Sequence, residues 1–182
     1  MKPPLRLDRT RAALLLVDFQ ERLLPAMHEA ERVLANAVRL ARGAALLGLP
    51  VAVTEQYPKG LGPTVPPLAE VVTGAARFEK LTFSACGATG LPDWLRGRGQ
   101  VLLAGIESHV CVCQTGLDLL GAGIDTLLVA DAVSSRTPVN ARFGVDRLRA
   151  AGAVVVSTEM ALFELLGSAP AAEFKAVQSL VK

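Results

Sequence analysis

Histidine, cysteine and aromatic residues are all scarce in this 182-residue chain, and each shortage closes off a class of function. The two histidines, His28 and His109, lack ligand-spaced partners, so a histidine-based metal site is disfavoured. Cys86, Cys111 and Cys113 are too few and odd in number for a disulfide framework, which leaves at least one thiol free. Cys111 and Cys113 resemble a metal-binding pair, yet two residues so spaced on a helix are turned by about 200° and face opposite sides. Aromatics make up 4% of the chain, so Leu, Val and Ala must do the packing. No basic run with interleaved aromatics occurs, and 19 Lys plus Arg nearly balance 17 Asp plus Glu, so no nucleic-acid partner is expected. Apolar runs such as Ala12 to Val17 are strand-length and far below a membrane span. The charged start of the chain precedes too short an apolar stretch for a signal peptide. The expectation is a soluble, cytoplasmic protein without membrane attachment, metal or cofactor. A glycine-rich phosphate loop is missing as well. Asp18-Phe19-Gln20 follows the first apolar run, while Gly121 and Gly123 precede a strand and read as helix stops.

What the chain does have is apolar bulk: 51% hydrophobic against 20% charged, enough for one domain over residues 1–182 with a large core. A single rhythm recurs, in which a short aliphatic run is followed by a break and a helical stretch closed by glycine. Strands are predicted at Ala13–Val17, Val51–Thr54, Val101–Ile106, Thr126–Ala130 and Ala153–Ser157. Helices are predicted at Glu31–Leu47, Ser108–Leu120, Val139–Ala150, Glu159–Leu166 and Ala171–Val181. The first helix carries Val33, Leu34, Ala37, Val38, Leu40 and Ala41 at i, i+3, i+4 spacing and stops at Gly48. Strand–helix alternation predicts right-handed βαβ units and a three-layer α/β/α sandwich around a six-stranded, mostly parallel sheet. Glu55 to Trp94 breaks the rhythm. Its prolines and glycines predict loop, with a short strand near Arg77–Leu81 as the remaining sheet member.

Open parallel sheets bind ligands at the carboxyl ends of their strands. Polar residues at those ends are Asp18, Glu55, Gln56, Glu107 to Cys111 and Asp131, with Lys80 in the irregular region. Cys111 stands apart among them. It falls in the first turn of the helix after Val101–Ile106, where the helix dipole and free amides would lower a thiol's pKa and could hold an oxyanion. A thiol nucleophile also needs a proton acceptor. Asp18 ends the first strand, where partial burial would raise its pKa. By itself an aspartate there caps or pairs as often as it catalyses, and a lone Lys80 reads as a surface lysine.

Three blocks change that weighting. Leu15-Leu16-Val17-Asp18-Phe19-Gln20, Glu79-Lys80-Leu81-Thr82-Phe83-Ser84 and Gly105-Ile106-Glu107-Ser108-His109-Val110-Cys111-Val112 occur in order, followed by Asp131-Ala132-Val133-Ser134-Ser135-Arg136. Over about Ala12 to Val181 the chain resembles the isochorismatase-like cysteine hydrolases. The resemblance implies a triad with Asp18 as proton shuttle, Lys80 as the cation beside the thiolate and Cys111 as nucleophile. It also implies a cis peptide between Ile106 and Glu107, an oxyanion hole from the Glu107 and Cys111 amides, and a homo-oligomer, a dimer or tetramer. Nicotinamidases of that family place a metal-binding Asp–His–His set after the second strand. Here Thr54-Glu55-Gln56-Tyr57-Pro58-Lys59-Gly60 holds no histidine, so a metal-free site is expected. Phe19, Gln56, Tyr57 and Phe83 are candidate pocket residues. Asp131 and Arg136 suit a structural ion pair or an oligomer contact. The implied activity is hydrolysis of a small amide or related acyl compound through a thioester. A scaffold on a retired hydrolase fold and a redox-sensing thiol are the competing readings.

Overall fold

Six strands form a single sheet in the computed structural model, which describes residues 5–182. They are β1 (Ala12–Val17), β2 (Val51–Gln56), β3 (Ala76–Lys80), β4 (Gln100–Ile106), β5 (Asp125–Ser134) and β6 (Val154–Val156). Their order is β3-β2-β1-β4-β5-β6, and every neighbouring pair is parallel. Between them run α1 (Ala30–Leu47), α2 (Pro58–Leu61), α3 (Pro66–Ala69), α4 (Leu91–Leu95), α5 (Cys113–Gly121) and α6 (Pro138–Ala150), and α7 (Thr158–Leu166) and α8 (Phe174–Val181) follow β6.

Side-chain alternation explains why β1 reads as an unbroken apolar run. Leu14 and Leu16 join Leu102 and Leu127 under α1 and α7, while Leu15 and Val17 join Leu103 and Leu128 against Leu91, Leu119 and Leu148 of α4, α5 and α6. Both faces are covered, so a strand in the middle has no polar side. Each fully enclosed leucine adds about 1.5–3 kcal/mol of hydrophobic stabilisation.

The segment from Glu55 to Trp94 departs from the loop expected there. It contains α2, α3 and α4 as well as β3, and proline occupies the first or second position of each of these helices. The physical reason is that proline lacks only a donor that the first helical turn leaves free, so it can start a helix as readily as end one. Beyond β4 the chain forms a π-helical turn, Ser108–Val112, before α5 begins at Cys113. The predicted single helix from Ser108 is therefore two elements.

Strand order reverses between β1 and β4, which is where the crevice of a doubly wound sheet opens. Gly105 lets the two strands close up there. A Cβ on it would stand 2.4 Å from the Val17 carbonyl oxygen, at a φ of +148°. Gly144 does the same for α6, where a Cβ would sit 2.5 Å from the Ser108 carbonyl. The turn after β4 is thus pinned by the sheet on one side and by α6 on the other.

Candidate active site

Asp18 is the first residue past β1, and it leaves the strand with a φ of +57°. A non-glycine residue in that region is uncommon, though aspartate tolerates it better than most. Its amide donates to the Thr54 carbonyl (3.1 Å) and its carbonyl accepts from Gln20 (2.8 Å), so the turn is held from both sides. The carboxylate is fully buried. Oδ1 accepts from Thr54 Oγ1 at 2.7 Å, and Oδ2 lies 2.7 Å from Lys80 Nζ.

Lys80, the last residue of β3, reaches over β2 to make that ion pair, and neither side chain is exposed. Its ammonium also donates to Gln56 Oε1 (2.6 Å) and to the carbonyls of Phe83 (3.1 Å) and Thr82 (3.3 Å). Together with Asp18 Oδ2, these acceptors surround the ammonium. The Cys111 thiol lies near enough to both charged groups for each to act on it electrostatically.

The three groups come from β1, β3 and the turn after β4, and the fold closes them together at the carboxyl edge of the sheet. Burial raises the Asp18 carboxyl above its usual value, against the lowering effects of the Lys80 charge, Thr54 and Cys111. Burial, and then the Asp18 charge, push the Cys111 thiol up to about 12, with Lys80 opposing. The expectation of a lowered thiol pKa is corrected here. Cys111 sits in the π-helical turn ahead of α5 and is only 6% exposed, so desolvation and an adjacent carboxylate outweigh the helix end. Asp18 and Cys111 therefore behave as a coupled pair. The Ile106–Glu107 peptide is cis.

The pocket residues inferred from sequence separate on inspection. Phe19 is 1% exposed within the apolar cluster under α1, which corrects its assignment to a ligand pocket, because a ring enclosed on all sides has no face for a substrate. Gln56 spends one end of its amide on Lys80 and the other on the Leu81 carbonyl (2.9 Å), so it braces the lysine. Gln20, fully buried, braces Gln56 in turn by bonding both its main-chain N–H and C=O. Tyr57 and Phe83 lie half-exposed at the rim, and Leu81 is mostly exposed. A cleft of about 470 Å³ opens there, with Tyr57, Lys59, Glu79, Leu81 and Thr82 among its walls. Lys80 meets this cleft through its main chain, since its side chain is enclosed, and Asp18 and Cys111 are not among the walls. Arg136 pairs with Glu107 (3.1 Å) and Asp131 caps α7 through Thr158, so the pair suggested between them does not form. Thr54, which holds Asp18, carries no signal in the sequence, because only the strand register sets it opposite Val17. Among the described residues no three His, Cys, Asp or Glu side chains converge as a metal would require, and no helix is long and apolar enough to cross a membrane.

With this geometry in place, comparison with known proteins is informative. An isochorismatase-domain family model matches residues 12–160. The chain belongs to the isochorismatase family. A zebrafish (Danio rerio) relative named isochorismatase domain-containing protein 2 is 39% identical over 179 residues, 97% of this chain and 89% of that one. Among solved structures, one called MAR1 ribonuclease from Caenorhabditis elegans is 39% identical, with a TM-score of 0.92 over 97% of this chain and 92% of that one. The YcaC gene product of Escherichia coli, described as an octameric hydrolase of unknown specificity, is 27% identical with a TM-score of 0.92 over 99% and 92%. Family membership places this chain in the isochorismatase-like hydrolase family.

Proposed function

We propose that this isochorismatase-family member is a metal-free cysteine hydrolase of small amides or related acyl compounds. The reading rests on one observation, the buried Asp18–Lys80 ion pair whose charges act on the buried Cys111 thiol. In this reading the Cys111 proton passes to Asp18 as sulfur attacks the acyl carbon. An aspartate whose pKa is raised is better matched to accept that proton and later return it. The Glu107 and Cys111 amides are assigned to the oxyanion. Val110 and Val112 are not candidates, because both donate to the Glu107 carbonyl at 3.1 Å. Asp18 then protonates the departing nitrogen and the C–N bond breaks, leaving a Cys111 thioester. Water, deprotonated by Asp18, attacks that thioester. The acid leaves and Cys111 regains its proton. Throughout, the Lys80 ammonium offsets whichever partner is negative.

Assembly as a homo-oligomer belongs to the same proposal and is supported by the octameric E. coli relative; a dimer or tetramer is the size proposed. Expected substrates are small molecules, and RNA is not one of them, since a nucleophile 6% exposed offers a polynucleotide no landing surface. The test is a panel of small amides, ureides and esters, with an RNA oligonucleotide alongside. At least one small acyl compound should be turned over by the wild type and not by Cys111→Ala. Equal turnover by that variant, or cleavage of the RNA alone, would defeat the reading.

A further inference from the structure

Thr115, one turn into α5, is completely buried and its hydroxyl makes two bonds. It donates to the Cys111 carbonyl at 2.6 Å and accepts from the Ala85 amide at 2.8 Å. The first bond alone would be unremarkable, because helical Ser and Thr hydroxyls often bond back to the carbonyl four residues earlier. The second links α5 to a segment thirty residues away. That segment begins with Thr82 and Phe83, whose carbonyls accept from Lys80 Nζ. One hydroxyl thus joins the main chain of Cys111 to the loop that surrounds the Lys80 ammonium.

We propose that Thr115 is a positioning residue, a clamp that fixes the Cys111 turn against the Lys80 loop. This rests on the nucleophile assigned to Cys111 above. The two halves reach the site from β3 and from β4, strands separated by β2 and β1, so strand pairing does not hold them to one another. Thr115 bridges them directly. Without its hydroxyl the Ala85 amide loses its acceptor in a buried place, and only apolar packing is left to hold the loop to the turn. Separation would open the enclosure that keeps Cys111 6% exposed. Valine keeps the shape of threonine and makes neither bond; serine keeps both.

The experiment measures iodoacetamide labelling of each cysteine by peptide mass spectrometry in wild type, Thr115→Val and Thr115→Ser, with melting temperatures taken alongside. Cys113, 2% exposed in the same helix, serves as the reporter of general loosening. The expected result is labelling of Cys111 at least tenfold faster in Thr115→Val, because the freed turn loses the enclosure that keeps its thiol protonated, with Cys113 unchanged and Thr115→Ser within about threefold of wild type. Unchanged or slower Cys111 labelling in Thr115→Val overturns the clamp, as does a serine variant equally fast. If Thr115→Val does not fold, Thr115→Ala removes the same hydroxyl and is judged by the same criteria. Hydrolysis that survives Cys111→Ala defeats the nucleophile assignment, and the clamp falls with it. Normal wild-type labelling with indifferent variants removes the clamp alone.

Discussion

Replacing Asp18 by Asn should make Cys111 more acidic and the enzyme less active, and the opposition of those two effects is the diagnostic. Asparagine keeps the shape and can still accept from Thr54, which bonds Oδ1 at 2.7 Å. It also tolerates a positive φ. What disappears is the negative charge next to the thiol. Two unit charges about 4 Å apart at an effective dielectric of about 20 interact by about 4 kcal/mol. At 1.36 kcal/mol per pH unit that corresponds to about three pH units as a ceiling. Burial, the leading cause of the rise to about 12, persists in the variant, and Lys80 is left unopposed. The thiol midpoint should therefore drop by about one to three pH units. The assay is thiolate absorbance near 240 nm against pH, in a Cys86→Ser, Cys113→Ser background where Cys111 is the remaining thiol. Hydrolysis should meanwhile fall by about 10²- to 10⁴-fold, the usual contribution of a general acid–base group. A midpoint that stays or rises would refute the coupling of Asp18 and Cys111, and hydrolysis that survives would refute the proton shuttle.

Alkaline stability gives a second handle. The unfolded thiol ionises near 9.0 and the folded one near 12, so the native state holds the extra proton between those values. Stability owed to this group is constant below about pH 9 and falls as pH rises, by about 1.4 kcal/mol per unit. Urea unfolding should show Cys111→Ser losing about 2 kcal/mol less than wild type by pH 10.5, and parallel curves would contradict this. Lys80→Met strands a buried carboxylate and should cost about 3–5 kcal/mol, part of which Asp18→Asn added to it should restore. Simple additivity of the two changes would argue against the ion pair. Gly105→Ala drives a methyl against the Val17 carbonyl and should destabilise by about 3 kcal/mol or more, seen as a lowered melting temperature. A melting temperature within 2 °C of wild type (roughly the shift that 0.5 kcal/mol gives) would show that the β1–β4 contact is softer than described.

Periodicity carries information about faces, and the fold was legible wherever faces decide structure. Unbroken runs such as Leu14–Leu16 and Val101–Ile106 declared strands covered on both sides, and the spacing in α1 declared its buried stripe. The Pro-rich stretch was misread because proline's effect depends on whether it starts or interrupts a helix, which composition does not reveal. The site residues were legible by a different route, from strand ends and resembling blocks. Their electrostatics were not. A thiol at a helix start and a thiol enclosed beside a carboxylate look identical in sequence, yet the second has its pKa raised. Phe19 was misplaced for a related reason, since a residue next to Asp18 along the chain can point into the core.

The strand order has a kinetic consequence. β1 is bounded by β2 on one side and β4 on the other, so Asp18 meets Cys111 only after a strand some ninety positions later has docked. Lys80 arrives from the sheet's outer edge across two strands. Contacts so distant in sequence are slow to form, because loop-closure entropy must be overcome before they stabilise anything. Helices such as α1 can develop early from local contacts, while the reactive centre waits for the sheet to close. During refolding, protection of Cys111 from alkylation should therefore appear after most of the helical circular dichroism signal has returned, which makes the site a reporter of completed assembly.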